Sequence, residues 1–297
     1  GSMKSTVTAL ALCHYGTFAY NTPPASWTGT ANALEKKAFL VKDAPLWIDD
    51  YTGQSTSQGM NEIQRKADQL LRDWGNRAGR SRMRADLKLR QTFAPRGLII
   101  STAEMLPPGQ SILSRLFAIE VHPGMITRGA DSPLTEAQVR ESALYPMAMA
   151  GYLTWLARWY EDLEQRLNGK LLEYTERARQ EGQHLRMPRN VATMYVGWEM
   201  GLRYARSVEA IDDDTLEAML ETGWHVLLSI GEQQHQVVAE EKPVEMYLAA
   251  LEQMFAQGSI YLRHKDWPDM MDRVWPAQRT GTAEMIGWYD DEFWYLL

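Results

Sequence analysis

Ala44-Pro45-Leu46-Trp47-Ile48-Asp49-Asp50-Tyr51 is a short apolar run that ends abruptly in two adjacent carboxylates. It is too short to span a membrane and too apolar for a loop, so it reads as a buried parallel strand. Acids at the C-terminal end of such a strand lie where open α/β sheets bind ligands. One acid there can hold a hydrated Mg²⁺ and the next can orient a water, as a nucleotide-hydrolysing site requires. The plainer reading is a strand that runs into an acidic turn.

Upstream, Gly1-Ser2-Met3-Lys4-Ser5-Thr6 precedes the apolar stretch Val7 to Leu12. Gly-Ser-Met is a common cloning scar, but Gly-x-x-Lys-Ser is also how a phosphate-binding loop runs into its helix. The full signature is G-x-x-x-x-G-K-[ST], and Met3 stands where its last glycine is usual. In that reading Lys4 meets the β/γ-phosphates, Ser5 meets Mg²⁺ and the helix N-terminus faces the anion. The spacing from Lys4 to Asp49 suits the first and second nucleotide motifs of a compact domain. Pro23 to Thr30 reads as a turn-rich connector and Ala31 to Leu40 as a helix. Cys13 reads as a small helix residue near the phosphate site.

Downstream, Asn61 to Trp74 is amphipathic, with Ile63, Ala67, Leu70, Leu71 and Trp74 on one face. A basic stretch follows: Arg77, Arg80, Arg82, Arg84, Lys88 and Arg90, interrupted by Asp86. Met83 to Phe93 reads as a cation-studded β-hairpin, either a solvated basic loop or a contact to a nucleic-acid backbone. Arg96 to Thr102 and Leu116 to Val121 read as two further buried strands. A polar residue ending the first, Ser101 or Thr102, could read a γ-phosphate, and Arg115 could be offered to a neighbouring subunit's nucleotide.

Composition is that of an ordinary globular chain: 297 residues, 45% hydrophobic and 23% charged, with 11 Trp and 13 Tyr. One cysteine, Cys13, excludes an internal disulfide framework and suits a reducing, cytoplasmic setting. No run approaches the roughly 18 to 20 apolar residues of a transmembrane helix, and no secretory signal pattern opens the chain. The net charge of −7 divides into +6 over residues 1–130 and −13 over 131–297. Such asymmetry suggests parts with different partners, the basic part facing a polyanion.

From Asp131 the pattern turns helical. Thr135-Glu136-Ala137-Gln138 is a capping-box start to a helix running toward Leu167 with a kink at Pro146. Further helices are expected over 171–185, 191–208, 214–241 and 243–256. Ser259 to Leu262 reads as a strand. Met285 to Tyr289 and Phe293 to Leu297, joined by Asp290-Asp291, read as a hairpin. The expected domains are 1–130 (ATPase core), 131–257 (helical) and 258–297 (a small β-containing tail, cut short).

As an ordered set these motifs resemble the helicase-like ATPase region of mobile-element primase-polymerases, near the superfamily 3 and AAA+ groups of P-loop ATPases. The resemblance rests on Gly1 to Ser5, Ser26 to Glu35, and Lys42-Asp43-Ala44 leading into Asp49-Asp50. It continues through Ala67 to Arg72, Gly75 to Asp86, Pro95 to Glu104 and Gly109 to Arg115, covering about residues 1–122. It implies an AAA+-like parallel sheet, an α/β P-loop NTPase fold, followed by a mainly α-helical domain with a small β tail. It implies ATP and Mg²⁺ as cofactors, with Lys4, Ser5 and Thr6 binding ATP and Asp49 with Ser5 holding the metal. Asp50 would polarise the attacking water, where the family often has Glu. Ser101 or Thr102 would sense the γ-phosphate and Arg115 would be the trans-acting arginine. Arg80, Arg82, Arg84, Lys88 and Arg90 would contact single-stranded or forked DNA. The partners implied are a homo-oligomer such as a hexameric ring and a primase-polymerase domain in the same longer polypeptide. A P-loop domain also needs a strand before its phosphate loop, expected upstream of Gly1, so the chain reads as truncated at that loop.

Two other readings stand beside this one. The first is a truncated or degenerate relative that binds nucleic acid without turnover. The second is a di-iron helical bundle. Glu181-Gly182-Gln183-His184 and Glu232-Gln233-Gln234-His235 are two E-x-x-H pairs, and Glu141 and Glu199 are available to complete such a centre.

Overall fold

A computed structural model describes residues 3–52, 57–76, 93–127, 129–179, 186–240, 243–267 and 274–297. The chain divides into two compact units, residues 1–238 and 239–297.

The first unit is built on a three-stranded parallel sheet of order β1-β2-β3, with β1 at Ala25–Ser26, β2 at Leu46–Tyr51 and β3 at Ile99–Ala103. The opening stretch is therefore the central strand. Alternation along β2 sends Leu46 and Ile48 to one face and Trp47 to the other. Leu46 and Ile48 pack with Leu34 and Ala38 of α2 (Ala31–Leu40) and with Ile63, Ala67, Leu70 and Leu71 of α3 (Ser57–Gly75). Trp47 packs with Ala9 and Leu12 of α1 (Lys4–Leu12). Helices thus cover both faces, which is why β2 reads as a continuous apolar run. The connector over Pro23 to Thr30 contains the short strand β1, and Thr30 caps α2 by accepting from the Ala33 amide. Gly97 passes so close to the Ala44 and Lys42 carbonyls that no Cβ would fit, which lets β3 enter the sheet beside β2.

Leu116 to Val121 is not a strand. Side chains from two helices take its backbone groups where a ladder would otherwise be needed. These helices are α8 (Met187–Ser207) and α9 (Asp213–Glu240). Gln234 on α9 donates to the Leu113 and Leu116 carbonyls at 2.9 and 3.1 Å and accepts from the Ala118 amide at 2.9 Å. Asn190 on α8 donates to the Ser114 and Leu116 carbonyls, both at 3.2 Å. The segment follows a short helix, α4 (Gln110–Leu113).

The expected long helix from Thr135 is broken into pieces. Ser132, not Thr135, caps its start, with Pro133 in the first turn of α5 (Pro133–Glu136). A π turn and a 3₁₀ turn follow before α6 (Tyr145–Ala157), where Pro146 occupies a first-turn position that needs no amide hydrogen. Next comes α7 (Tyr160–Ala178), which packs on α8 around Tyr174, Tyr195 and Trp224, three rings in mutual edge or tilted contact.

The second unit contains α10 (Pro243–Ala256) and a four-stranded sheet of order β5-β4-β6-β7. Its strands are β4 (Ile260–His264), β5 (Val274–Trp275), β6 (Glu284–Tyr289) and β7 (Trp294–Leu296). The expected terminal hairpin is present. Asp290 closes it, accepting from the Glu292 and Phe293 amides at 3.0 and 2.8 Å. Leu251, Phe255, Ile260 and Leu262 form the small core.

Candidate functional site

The N-terminal end of α1 and the C-terminal ends of β2 and β3 meet at Asp49. Ser5 Oγ donates to Asp49 Oδ1 at 3.0 Å, and Thr102 Oγ1 donates to the same oxygen. Lys4 Nζ donates to the Ala103 carbonyl, at the end of β3. Four residues singled out in the sequence, Lys4, Ser5, Asp49 and Thr102, are thereby gathered at one edge of the sheet. They come from three elements separated by up to 99 residues. Thr6 lies one position further into α1 and is buried.

Two backbone conformations shape this corner. Met3 precedes α1 with φ 63° and ψ 15°, in the left-handed region. That conformation is costly for a residue with a Cβ and suits the glycine that the phosphate-loop pattern has here. Asp50 has φ 67°. Between Ile48↔Ser101 and Tyr51↔Ala103, Asp49 and Asp50 together oppose Thr102 alone, a β-bulge that ends the regular pairing. The bulge leaves Asp49 half-buried and Asp50 exposed, so the two adjacent acids occupy different environments. Aspartate is among the few non-glycine residues that tolerate left-handed φ.

Ser101 and Thr102 separate as neighbours on a strand must. Thr102 is buried on the Asp49 side, whereas Ser101 Oγ accepts from Trp27 Nε1 at 2.9 Å, and Trp27 belongs to the core of the opposite face. Trp47 Nε1 donates to Thr102 Oγ1 at 3.2 Å. The sequence places Trp27 in a turn-rich connector and Trp47 in a buried strand, and assigns neither indole a role. The available signal was the period-2 alternation that places Trp47 on the same face as Asp49.

Arg115 is not brought to Asp49. Its Nη1 donates to Ser111 Oγ at 2.7 Å and to the Ser111 carbonyl, and its aliphatic part lies against Gly75, where a Cβ would crowd it. Its Nε is buried with no hydrogen-bond partner among the described residues. Burial, then the nearby Arg186 and Arg72, lower its proton affinity, opposed by Asp68. A guanidinium remains charged under such a shift. Arg80, Arg82, Arg84, Lys88 and Arg90 lie outside the described residues.

The proposed metal ligands of a di-iron centre are not assembled among the described residues. Glu199 is 1% exposed and its carboxylate is fully engaged: Lys170 Nζ donates at 2.7 and 2.9 Å, Arg203 Nε at 2.7 Å and Tyr174 Oη at 3.0 Å. Glu141 is exposed and accepts from Tyr145 Oη. Residues 181–184 are outside the described residues. Among those described, no group of three or more His, Cys, Asp or Glu is placed to hold a metal ion. Among them, too, no helix is long and apolar enough to cross a membrane. Cys13 is buried and its thiol faces the Phe18 carbonyl at 3.6 Å. Comparison with known protein families, with curated proteins and with solved structures finds no match to this chain.

Proposed function

We propose that residues 1–122 are the working part of a P-loop ATPase that acts with nucleic acid, ATP and Mg²⁺. The observation that carries this reading is the hydrogen bond from Ser5 to Asp49, 44 residues apart in sequence, at the mouth of a parallel sheet. Ser5 heads a helix whose first turn holds no acid to repel an anion. Asp49 ends the central strand. A hydroxyl and a carboxylate are the hard oxygen donors that Mg²⁺ takes, and this ion keeps several waters and binds phosphate oxygens, so few protein ligands suffice. Ser5 and Asp49 would hold the ion, and it would supply neutralisation of the charge that develops on phosphate oxygens. Lys4 would leave the Ala103 carbonyl for a phosphate. Asp50, exposed beyond the bulge, would orient water. The basic stretch from Arg80 to Arg90 would meet DNA, and Arg115 would act toward a neighbouring copy in a ring.

A non-hydrolysing relative is the second reading. It is favoured by methionine in the left-handed position before α1 and by the short Asp50 side chain in the water-orienting place.

The test compares the parent chain with Lys4→Ala and Asp49→Ala. Calorimetric titration with ATP and Mg²⁺ should give binding by the parent and at least a tenfold loss, about 1.4 kcal/mol, in Lys4→Ala. Phosphate release stimulated by single-stranded DNA selects the enzyme. Binding without release selects the non-hydrolysing relative. A parent that binds no ATP at millimolar concentration refutes the nucleotide reading.

A further inference from the structure

The geometry points to Trp47 as a positioning residue that aims Asp49 through Thr102, an inference that rests on the Mg²⁺–nucleotide reading of this corner. A threonine hydroxyl has one proton to give. Trp47 Nε1–H, a donor that cannot accept, points at Thr102 Oγ1 from 3.2 Å. The hydroxyl must therefore receive that bond and send its own proton elsewhere, and it sends it to Asp49 Oδ1. Trp47 is 0% exposed and is packed between Ala9, Leu12 and Phe18, so its indole cannot swing away. The direction of the chain Trp47 to Thr102 to Asp49 is thus fixed by the one group in it that has no alternative role.

Two consequences follow for the site. Ser5 and Thr102 both bond Oδ1, so Asp49 is held by one oxygen while Oδ2, which has no partner among the described residues, is left for a cation. Thr102 itself cannot donate to a phosphate while its proton is on Asp49, because phosphate oxygens only accept. Thr102 thereby becomes the residue that orients the metal acid, a role distinct from reading the γ-phosphate. Outer partners of this kind set ligand orientation, and their loss commonly costs about 10- to 100-fold in metal affinity.

The experiment uses the full chain and its Trp47→Phe, Thr102→Val and Thr102→Ser variants. The Trp47 indole N–H is identified in a ¹⁵N-correlated spectrum by its loss in Trp47→Phe. Expected in the parent is a shift of that signal when Mg²⁺ and ATP are added. In Thr102→Val the signal should lie upfield and no longer respond, and in Thr102→Ser both the position and the response should return. Mg²⁺ for half-maximal ATP binding should rise about tenfold in Thr102→Val and Trp47→Phe, and fall back toward the parent's value in Thr102→Ser. A merely structural role would lower the melting temperature of both variants while leaving the Mg²⁺ requirement alone. Thr102→Val keeps nearly the native shape, so its Mg²⁺ requirement still decides the matter if Trp47→Phe does not fold. An indole signal indifferent to Thr102→Val, or an unchanged Mg²⁺ requirement in a parent that binds ATP, overturns the positioning role alone. A parent that binds no ATP with Mg²⁺ overturns the nucleotide reading and this inference with it.

Discussion

Glu199 shows how a buried acid can be spoken for by structure alone. Burial pushes its carboxyl up, but Lys170, Arg203 and Tyr174 outweigh this and hold it below the usual carboxylate range. Burial, then the bond to Glu199, drives the Tyr174 hydroxyl well above the ordinary phenol value. A carboxyl held low in the folded state contributes stability that is complete above its unfolded value, about 4.3, and drains as pH falls through the lower folded value. Glu199→Gln should therefore be less stable at pH 7 by about 2–3 kcal/mol, and its loss of stability in acid should be shallower than the parent's. The figure lies below the roughly 3–5 kcal/mol of a fully buried broken pair because the Lys170 and Arg203 side chains are 30% and 48% exposed and can recover water. Urea unfolding at pH 7 and at pH 4 measures both effects. Equal stability of the two proteins at pH 7 would show that the cluster contributes nothing net.

At the scale of elements, the segment from Leu113 to Ala118 decides how sheet and helices of the first unit are joined. It overlaps the apolar run Leu116 to Val121, which reads as a strand, yet it is held by amide side chains rather than by a neighbouring strand. Gln234 is 4% exposed and all three of its hydrogen bonds go to this segment. Gln234→Leu keeps the volume but leaves the Ala118 amide without its acceptor, while the Leu113 carbonyl keeps the Leu116 amide at 3.2 Å. The Leu116 carbonyl keeps Asn190. One shielded amide without a partner should cost about 1–3 kcal/mol. Amide exchange at Ala118, whose hydrogen now bonds Gln234 Oε1, should accelerate well beyond the global change. Unaltered protection at Ala118 would mean that backbone packing, not the glutamine, holds the segment. Because Arg115 sits within it, Gln234 and Asn190 also govern where that arginine is held.

For the whole molecule, two units with separate cores predict unfolding that is not two-state. The second unit has 59 residues, a size at which one small core is marginal. Phe255 of its core contacts two exposed rings, Trp275 and Trp294, with the three ring centroids 4.5–5.2 Å apart. On heating, tryptophan emission should show an early transition, while far-UV circular dichroism, dominated by the helices of the first unit, should follow later. Trp275→Phe with Trp294→Phe should shrink the early fluorescence phase, with Trp267 and Trp288 of the same unit left to report it. A single coincident transition by both probes would show that the units unfold together.

The sequence by itself determined the elements whose patterns are local. Apolar alternation located β2, β3, β4 and the terminal hairpin, and amphipathic spacing located α2, α3 and the helices from Met187 onward. The same patterns ranked Lys4, Ser5 and Asp49 as chemically interesting. Long-range pairing is not written in any window of the chain. Only the tertiary structure put Ser5 and Thr102 on one oxygen of Asp49 and sent Ser101 to the far face. It alone committed Glu199 to Lys170 and Arg203. It also turned the apolar run after Arg115 into a strapped loop, because Gln234 arrives from more than 100 residues away to satisfy backbone groups that sequence reasoning had assigned to a strand neighbour.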